Sequence, residues 1–570
     1  MDANKQYALW RAQRLPDDLA AELAAMAGNA DAIEGAFGAE LQFGTAGMRG
    51  IMGAGTNRLN QYTVRRAAQG LAAWLAGTKL PQRCAIGYDT RHHAREFAEV
   101  CAIAMADRGI EAWLYAAPAP TPMLSYAVRE LGCGCGIMIT ASHNASAYNG
   151  VKCYGPDGCQ MTDEPAAVVV AEIDRIAYFT PAQHTLDDHL ATGRIQMIAD
   201  DLWQAYYTRV LQESLQPEII ARAQLRAVYT PLCGTGNKPV RTLLGRLGAA
   251  LTVVPCQEQP DGDFKTCEYP NPETDAALRE SYKIADLVRP DFIFGTDPDC
   301  DRVAVAVPDG TGYRKLTGNE LGVLLLDYIL RTRKAQGTLP AGGEAICSIV
   351  STPMAGRIAR SYGCENVEVL TGFKYIGGEI LRLEALGQAD RFLFGFEESC
   401  GYLKGTYARD KDAVVASMLL FELAAEEKLR GGTLLTRLDA LYRTHGYFKA
   451  KVQSLELTGN DAMEKAAALM AAVRANCPAS IAGVPVTQVR DYQSRQAKSL
   501  PDGAVTPLTL PKSNVLCLDL GTQGGVILRP SGTEPKVKLY YTAVGATEPA
   551  AEALLEAYMQ AMQTVIALPA

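Results

Sequence analysis

No stretch of this chain approaches the about 18 apolar residues of a membrane-crossing helix, and the opening Met1-Asp2-Ala3-Asn4-Lys5-Gln6 holds no apolar signal core. No CxxC pair occurs among the 15 cysteines, which lie scattered, with Cys133 and Cys135 two positions apart. A disulfide framework is therefore disfavoured, and reduced thiols in a cytoplasmic protein are expected. Histidine is scarce, six in all, with no HExxH, so a zinc site has little support. The net charge of −8 lacks the basic footprint of a nucleic-acid binder. An anionic substrate stays open, because local Arg and Lys clusters decide that. No low-complexity segment occurs, and no Pro- or Ser-rich stretch marks a clean linker.

What is present is an ordinary core: 48% apolar and 21% charged residues over 570 positions, enough for about three to five domains. Short apolar runs alternate with longer amphipathic stretches, the texture of α/β units. Ala85–Tyr88 reads as a strand, Glu96–Arg108 as a helix ended by Gly109. Ile137–Ile139, Phe292–Phe294 and Phe392–Phe394 are further strand signals, and each runs into a polar or Gly-containing loop. Open α/β sheets place ligands outside the carboxyl ends of their strands. Three such junctions predict three related α/β domains. After about residue 450 the texture changes. Val515–Leu520, Gly525–Leu528 and Val537–Thr542 read as antiparallel strands and Glu548–Ile566 as a closing helix, a smaller α+β unit. The expected division is 1–212, 213–316, 317–448 and 449–570.

In Gly295-Thr296-Asp297-Pro298-Asp299-Cys300-Asp301-Arg302 three carboxylates alternate, and in an extended segment they point one way. Pro298 opposes a helix interior. Converging carboxylates repel unless a cation sits between them, and an oxygen-only donor set favours Mg²⁺ or Ca²⁺ over zinc. An EF-hand would need Gly and Glu where Arg302 and Pro308 stand. Taken alone, DxDxD also describes a solvated acidic turn.

Ser142 lies in Ile139-Thr140-Ala141-Ser142-His143-Asn144, one hydroxyl delivered by a strand into a loop of small polar residues, without the GxSxG of a hydrolase elbow. Loop serines of this kind are commonly turn formers. His143, as a sequence neighbour, is not expected to present to that hydroxyl. Lys152 downstream is a cation that could settle near a phosphate. Arg529-Pro530-Ser531-Gly532-Thr533-Glu534-Pro535-Lys536-Val537-Lys538 outlines an anion cradle, though also a Pro/Gly hairpin. Glu397 and Ser399 in Gly395–Gly401 suit sugar hydroxyls. Arg409-Asp410-Lys411-Asp412 reads as a solvated charge run.

Taken in order, Thr-Ala-Ser-His-Asn, Asp-Pro-Asp-x-Asp-Arg, Gly-Phe-Glu-Glu-Ser and Arg-Pro-Ser-Gly-Thr-Glu-Pro resemble the α-D-phosphohexomutase superfamily of phosphoglucomutases and phosphomannomutases. Phe43–Gly50, Thr371–Lys374 and Arg409–Asp412 resemble the bacterial phosphoglucomutase branch related to animal phosphopentomutase and glucose-1,6-bisphosphate synthase. The resemblance implies three similar mixed α/β domains plus a smaller C-terminal α+β domain around a central cleft.

It also implies roles. Ser142 is the phosphoserine, and Asp297, Asp299 and Asp301 hold Mg²⁺ together with a phosphoserine oxygen. Arg49, His143, Lys152, Arg302 and Lys411 line the reacting site, with Lys411 a proton donor or acceptor. Lys374, Glu397 and Ser399 contact the sugar phosphate. Arg529, Ser531, Gly532, Thr533 and Lys538 grip the phosphate that is not reacting. Ala145 stands where the family usually has Pro, and Cys233 where it usually has His at a supporting position. Small-molecule sugar phosphates are the expected partners, with glucose 1,6-bisphosphate as intermediate and activator, and neither nucleic acid nor membrane. Ser399 after Glu397-Glu398 points to glucose phosphates; phosphopentomutase, phosphomannomutase and glucose-1,6-bisphosphate synthase are the alternatives. A binding protein without catalysis is the reading from another class.

Overall fold

The computed structural model describes residues 2–44, 47–458, 462–531 and 536–566. Two compact units emerge: Met1–Gly343 with Phe373–Thr433, and Glu344–Gly372 with Leu434–Ala570.

The first unit opens with a six-stranded sheet built from β1 (Gly47–Ile51), β2 (Arg83–Tyr88), β3 (Glu111–Tyr115), β4 (Cys135–Ile139), β5 (Tyr148–Tyr154) and β6 (Ile195–Ile198), in spatial order β1-β5-β4-β2-β3-β6. The core strands β2, β3, β4 and β6 are parallel, whereas β5 runs antiparallel to β4 and to β1. Strand β4 is buried along its whole length, which is why Cys135-Gly136-Ile137-Met138-Ile139 carries no polar alternation. Between β2 and β3 the chain returns through the helix Ala94–Ala106, and Gly109 (φ 81°) supplies the left-handed turn that ends the crossover.

A second sheet holds β7 (Arg226–Thr230), β8 (Ala250–Val253), β9 (Phe292–Thr296), β10 (Val303–Pro308) and β11 (Tyr313–Lys315), in order β11-β10-β9-β7-β8. The β7–β9 pair is parallel, and Tyr229 stacks on Phe294 at 4.6 Å across it. Strands Phe392–Glu397 and Gly401–Leu403 form an antiparallel hairpin in the same unit. The helix Ala413–Leu429 is buried on every side from Ala413 to Glu427, and its apolar residues show no single stripe. Asp412 caps it, accepting from Val414 N at 2.7 Å and Val415 N at 3.2 Å.

The second unit contains a parallel pair, Glu344–Ser348 with Glu365–Val369, and a seven-stranded antiparallel sheet. Its longest ladder pairs Tyr447–Glu456 with Lys536–Gly545. Helices Ala462–Ala475 and Glu548–Ile566 cover one face through Leu469, Met470, Tyr558 and Met562, against Leu518, Leu528 and Leu539. The strand Tyr447–Glu456 is an addition to the sequence reading; its alternate residues face solvent, so it shows no apolar run.

Candidate active site

The site is assembled at the carboxyl ends of β4 and β9. Ser142 follows β4 with φ 52°, and its N–H donates to Thr140 Oγ1 at 2.8 Å. That left-handed turn brings consecutive side chains to one side of the loop. Contrary to the sequence expectation, His143 Nδ1 therefore lies 3.1 Å from Ser142 Oγ. The hydroxyl donates to Asp297 Oδ2 at 2.7 Å, across 155 residues of chain.

Beneath the loop sits a buried pair that sequence reasoning passed over. The Arg91 guanidinium donates to four carbonyls: Ser142 O (2.6 Å), Asn144 O (2.5 Å), Ala145 O (2.9 Å) and Tyr148 O (3.0 Å). Its Nε lies 3.3 Å from Asp89 Oδ2, which also accepts from Thr140 Oγ1 at 2.6 Å. Burial pushes the Asp89 carboxyl up to about 6 against the pull of Arg91. The signal available was a polar Asp-Thr-Arg directly after a core strand.

Asp297, Asp299 and Asp301 converge, all buried, but not through strand alternation. Strand β9 ends at Thr296 and the carboxylates stand on a tight turn with Cys300 at φ 53°. Asp297 Oδ1 accepts the N–H groups of Asp301 (3.1 Å) and Arg302 (3.0 Å). The turn rests on neighbours the sequence did not single out. Thr121 donates its N–H to Asp299 O and its hydroxyl to Asp299 Oδ2, both at 2.9 Å. Thr235 donates its N–H to Pro298 O at 2.8 Å, and a Cβ on Gly234 would collide with Pro298. Cys233 (φ 58°) is buried in the same support, with its N–H donating to Gln257 O at 2.8 Å.

Two lysines face the carboxylates. Lys152 Nζ is 2.8 Å from Asp299 Oδ2 and 3.6 Å from Asp301 Oδ2; Lys411 Nζ is 3.2 Å from Asp301 Oδ2 and 3.0 Å from Asp410 Oδ1. The run Arg409–Asp412 is not solvated as the sequence suggested: all four residues are buried, with Tyr154 donating to Asp410 Oδ2 at 2.8 Å and Tyr206 to Asp412 Oδ2 at 2.7 Å. Helix Ala413–Leu429 carries this segment inward. Gly401 lets it pass, because a Cβ there would strike the Lys411 stem.

The electrostatics divide the carboxylates. Burial, then Asp299 and Asp301, push the Asp297 carboxyl well up. Burial acts the same way on Asp299, but Lys152 and the hydrogen bonds it receives hold it well below the usual carboxylate range. For Lys152 and Lys411 burial favours the neutral amine, and the acidic neighbours outweigh it and raise both. Burial, with Arg302 and Arg49, pushes His143 well below its ordinary value and keeps it neutral.

Among the described residues, Oδ1 of Asp299 and Oδ1 of Asp301 are buried without a hydrogen-bond partner, and the three aspartates offer carboxylate oxygens all within 4.8 Å of one another. Orphaned acceptors in an oxygen-only set fit a hard divalent cation, so this triad could hold a metal.

The remaining predicted residues of this unit surround the same turn or lie close by. Arg49 on β1 donates to Asn144 Oδ1 at 2.9 Å. Arg302 pairs with Glu273 at 2.8 Å and bridges to Gly401. Glu397 ends its strand, buried, with Ser399 two residues on, half-buried, in the turn that follows. Lys374 is paired with Asp163 at 2.8 Å.

In the second unit, Arg529 and Lys538 stand opposite each other on paired strands, and Ser531 N–H donates to Lys536 O at 2.8 Å. Two cations opposed in one register disfavour the pair unless an anion lies near. Gly532 and Thr533 lie outside the described residues.

Comparison with known proteins accounts for the pattern. The alpha/beta/alpha domains I, II and III of phosphoglucomutase/phosphomannomutase match residues 40–179, 204–310 and 317–444. A phosphoglucomutase of Staphylococcus epidermidis is 36% identical over 505 residues, 88% of this chain and 90% of that protein. Among solved structures, a phosphoglucomutase/phosphomannomutase family protein from Burkholderia thailandensis superposes with a TM-score of 0.67 at 17% identity, covering 92% of this chain and 97% of that one. The pp63/parafusin phosphoglucomutase of Paramecium, in its open form, gives 0.67 at 16%, covering 93% and 95%. These two share the fold. The chain belongs to the phosphoglucomutase/phosphomannomutase family, with three α/β/α domains and a further C-terminal β-rich domain.

Proposed function

We propose that this protein is a phosphoglucomutase, interconverting glucose 1-phosphate and glucose 6-phosphate through a phosphoryl group carried on Ser142 and a bound glucose 1,6-bisphosphate. The observation that carries the reading is the 2.7 Å hydrogen bond from Ser142 Oγ to Asp297, in a triad whose Asp299 and Asp301 each keep one buried oxygen without a hydrogen-bond partner among the described residues. The 36% identity to a phosphoglucomutase over most of both chains supports the choice of substrate.

Asp297, Asp299 and Asp301 would hold Mg²⁺, which when bound offsets the charge of the transferring group. In the first half-reaction the bond between phosphorus and Ser142 Oγ breaks as a bond from phosphorus to a free sugar hydroxyl forms. The hydroxyl proton passes, in balance, to Ser142 Oγ. His143 and Lys411 are the candidates for carrying it. Lys152, Arg49 and Arg302 supply positive charge around the phosphoryl oxygens.

The second half-reaction is the reverse, from the other phosphate of the bisphosphate, and requires a second anion grip. Arg529, Ser531, Gly532, Thr533 and Lys538 are assigned to it, and Glu397, Ser399 and Lys374 to the sugar phosphate. The domain division at 1–212, 213–316, 317–448 and 449–570 belongs to the same reading.

The test compares turnover of glucose 1-phosphate, mannose 1-phosphate and ribose 1-phosphate, alongside the intact mass of the purified chain. Fastest turnover of the glucose ester is expected, with one phosphate on the wild type after exposure to the bisphosphate and none on Ser142→Ala. No turnover of glucose 1-phosphate would sink the assignment.

A further inference from the structure

Away from this site, Asp107 closes the C-terminal end of the helix Ala94–Ala106 and meets two histidines. Its Oδ1 lies 2.9 Å from His189 Nε2 and 3.1 Å from His184 Nδ1, while its Oδ2 accepts the Gln183 N–H at 2.8 Å. The Asp107 and His189 side chains are 8% and 7% exposed, and His184 is 56% exposed. One nitrogen from each imidazole and one carboxylate oxygen all fall within 4.8 Å of one another. His189 is presented by the short helix Leu186–Ala191, whose start is fixed by a reciprocal capping box between Thr185 and Asp188, and His184 directly precedes the capping Thr185. Asp107 is fixed by the long helix and by Gln183. Two of the three donors, Asp107 and His189, are thus nearly buried and placed by helices.

We propose that Asp107, His184 and His189 form a binding site for a borderline divalent transition cation of the Zn²⁺ type. Two imidazoles and one carboxylate suit zinc, cobalt or nickel, whereas Mg²⁺ prefers oxygen donors throughout. With metal–ligand bonds of about 2.0–2.1 Å, tetrahedral ligand atoms stand about 3.3 Å apart, so the two carboxylate–imidazole separations of 2.9 and 3.1 Å need only widen by a few tenths of an ångström, and the two imidazole nitrogens lie within 4.8 Å of each other. The exposed edge at His184 leaves water the fourth position. Topology makes the site a clasp and not a second reaction centre. The helix Ala94–Ala106 leaves the carboxyl end of β2 and returns to the amino-terminal end of the parallel strands, where His189 precedes β6. Metal there would tie the end of that helix to the segment entering the edge strand.

The experiment uses the full chain, stripped with chelator and returned to excess Mg²⁺ so that the oxygen-only aspartate triad is filled. Zn²⁺ is titrated by calorimetry, Co²⁺ by visible absorption, and the thermal midpoint is read with and without Zn²⁺. One Zn²⁺ per chain is expected, together with a rise in midpoint. His184→Ala, at a side chain more than half exposed, should weaken binding at least tenfold and abolish the rise. Asp107→Asn should weaken it as well. Equal Zn²⁺ binding by wild type and His184→Ala, or a thiolate charge-transfer band with Co²⁺ pointing to the exposed Cys256, would overturn the proposal, as would no binding at all.

Discussion

Replacing Arg91 by Met tests how the Ser142 loop is held. The substitution keeps the apolar stem but removes donors to Ser142 O, Asn144 O, Ala145 O and Tyr148 O, and the cation beside Asp89. Both side chains of the pair are fully buried, so screening by solvent is slight. Breaking a buried pair by removing one partner costs about 3–5 kcal/mol. The lower part of that range is expected, because Asp89 already has its carboxyl pushed up to about 6 and can take a proton once Arg91 is gone. Several domains unfold in this chain, so a single global midpoint is a poor measure. Hydrogen exchange of the amides at 140–150 reads the loop directly, and protection there should fall by about 3 kcal/mol. A displaced Ser142 should lower kcat by about 100-fold, the usual cost of an ångström of misplacement. Arg91→Lys should recover the charge but not the planar fork, and so only part of the protection. Wild-type exchange at 140–150 together with wild-type kcat in Arg91→Met would refute the reasoning.

Thr121→Val removes the hydroxyl that holds Asp299 Oδ2; apparent Mg²⁺ affinity, read from the metal dependence of turnover, should weaken by about 10- to 100-fold with the fold intact by circular dichroism. Gly401→Ala sets a methyl group against the Lys411 stem, and kcat should fall by about tenfold or more while the far-ultraviolet spectrum holds. Asp89 supplies a pH prediction. Its folded pKa of about 6 lies above the unfolded 3.8, so the folded chain binds the proton more tightly. This group therefore adds stability as pH falls from about 6 toward 4 and loses it as pH rises through that window, by at most about 3 kcal/mol at 1.36 kcal/mol per unit. Loop amides in Asp89→Asn should lose that slope relative to wild type, and an unchanged slope would assign it to another group.

What the sequence disclosed follows from which physical facts leave a local trace. Strand β4 and strand β9 were legible because central strands of an α/β sheet are buried on both faces and read as unbroken apolar runs. The closing helix Glu548–Ile566 was legible because it spans more than five turns with one apolar face. The triple aspartate shows the limit. Its convergence was foreseen from strand alternation, yet it arises from a turn with Cys300 left-handed, a conformation no residue type announces.

Burial of Arg409–Asp412 left no mark either, since a charge run says nothing about which tyrosines and helix will cover it. Thr121, Asp89 and Arg91 were missed for a related reason. Each acts through a partner supplied by the fold: Thr121 reaches Asp299 across 178 residues and Arg91 reaches Ser142 across 51. A hydroxyl or a guanidinium in a loop is commonplace until its partner arrives. Motif residues that touch the reacting groups are constrained by chemistry and announce themselves by type and spacing. Those that aim them are constrained only by geometry, and become visible once the two sheets have brought their loops together.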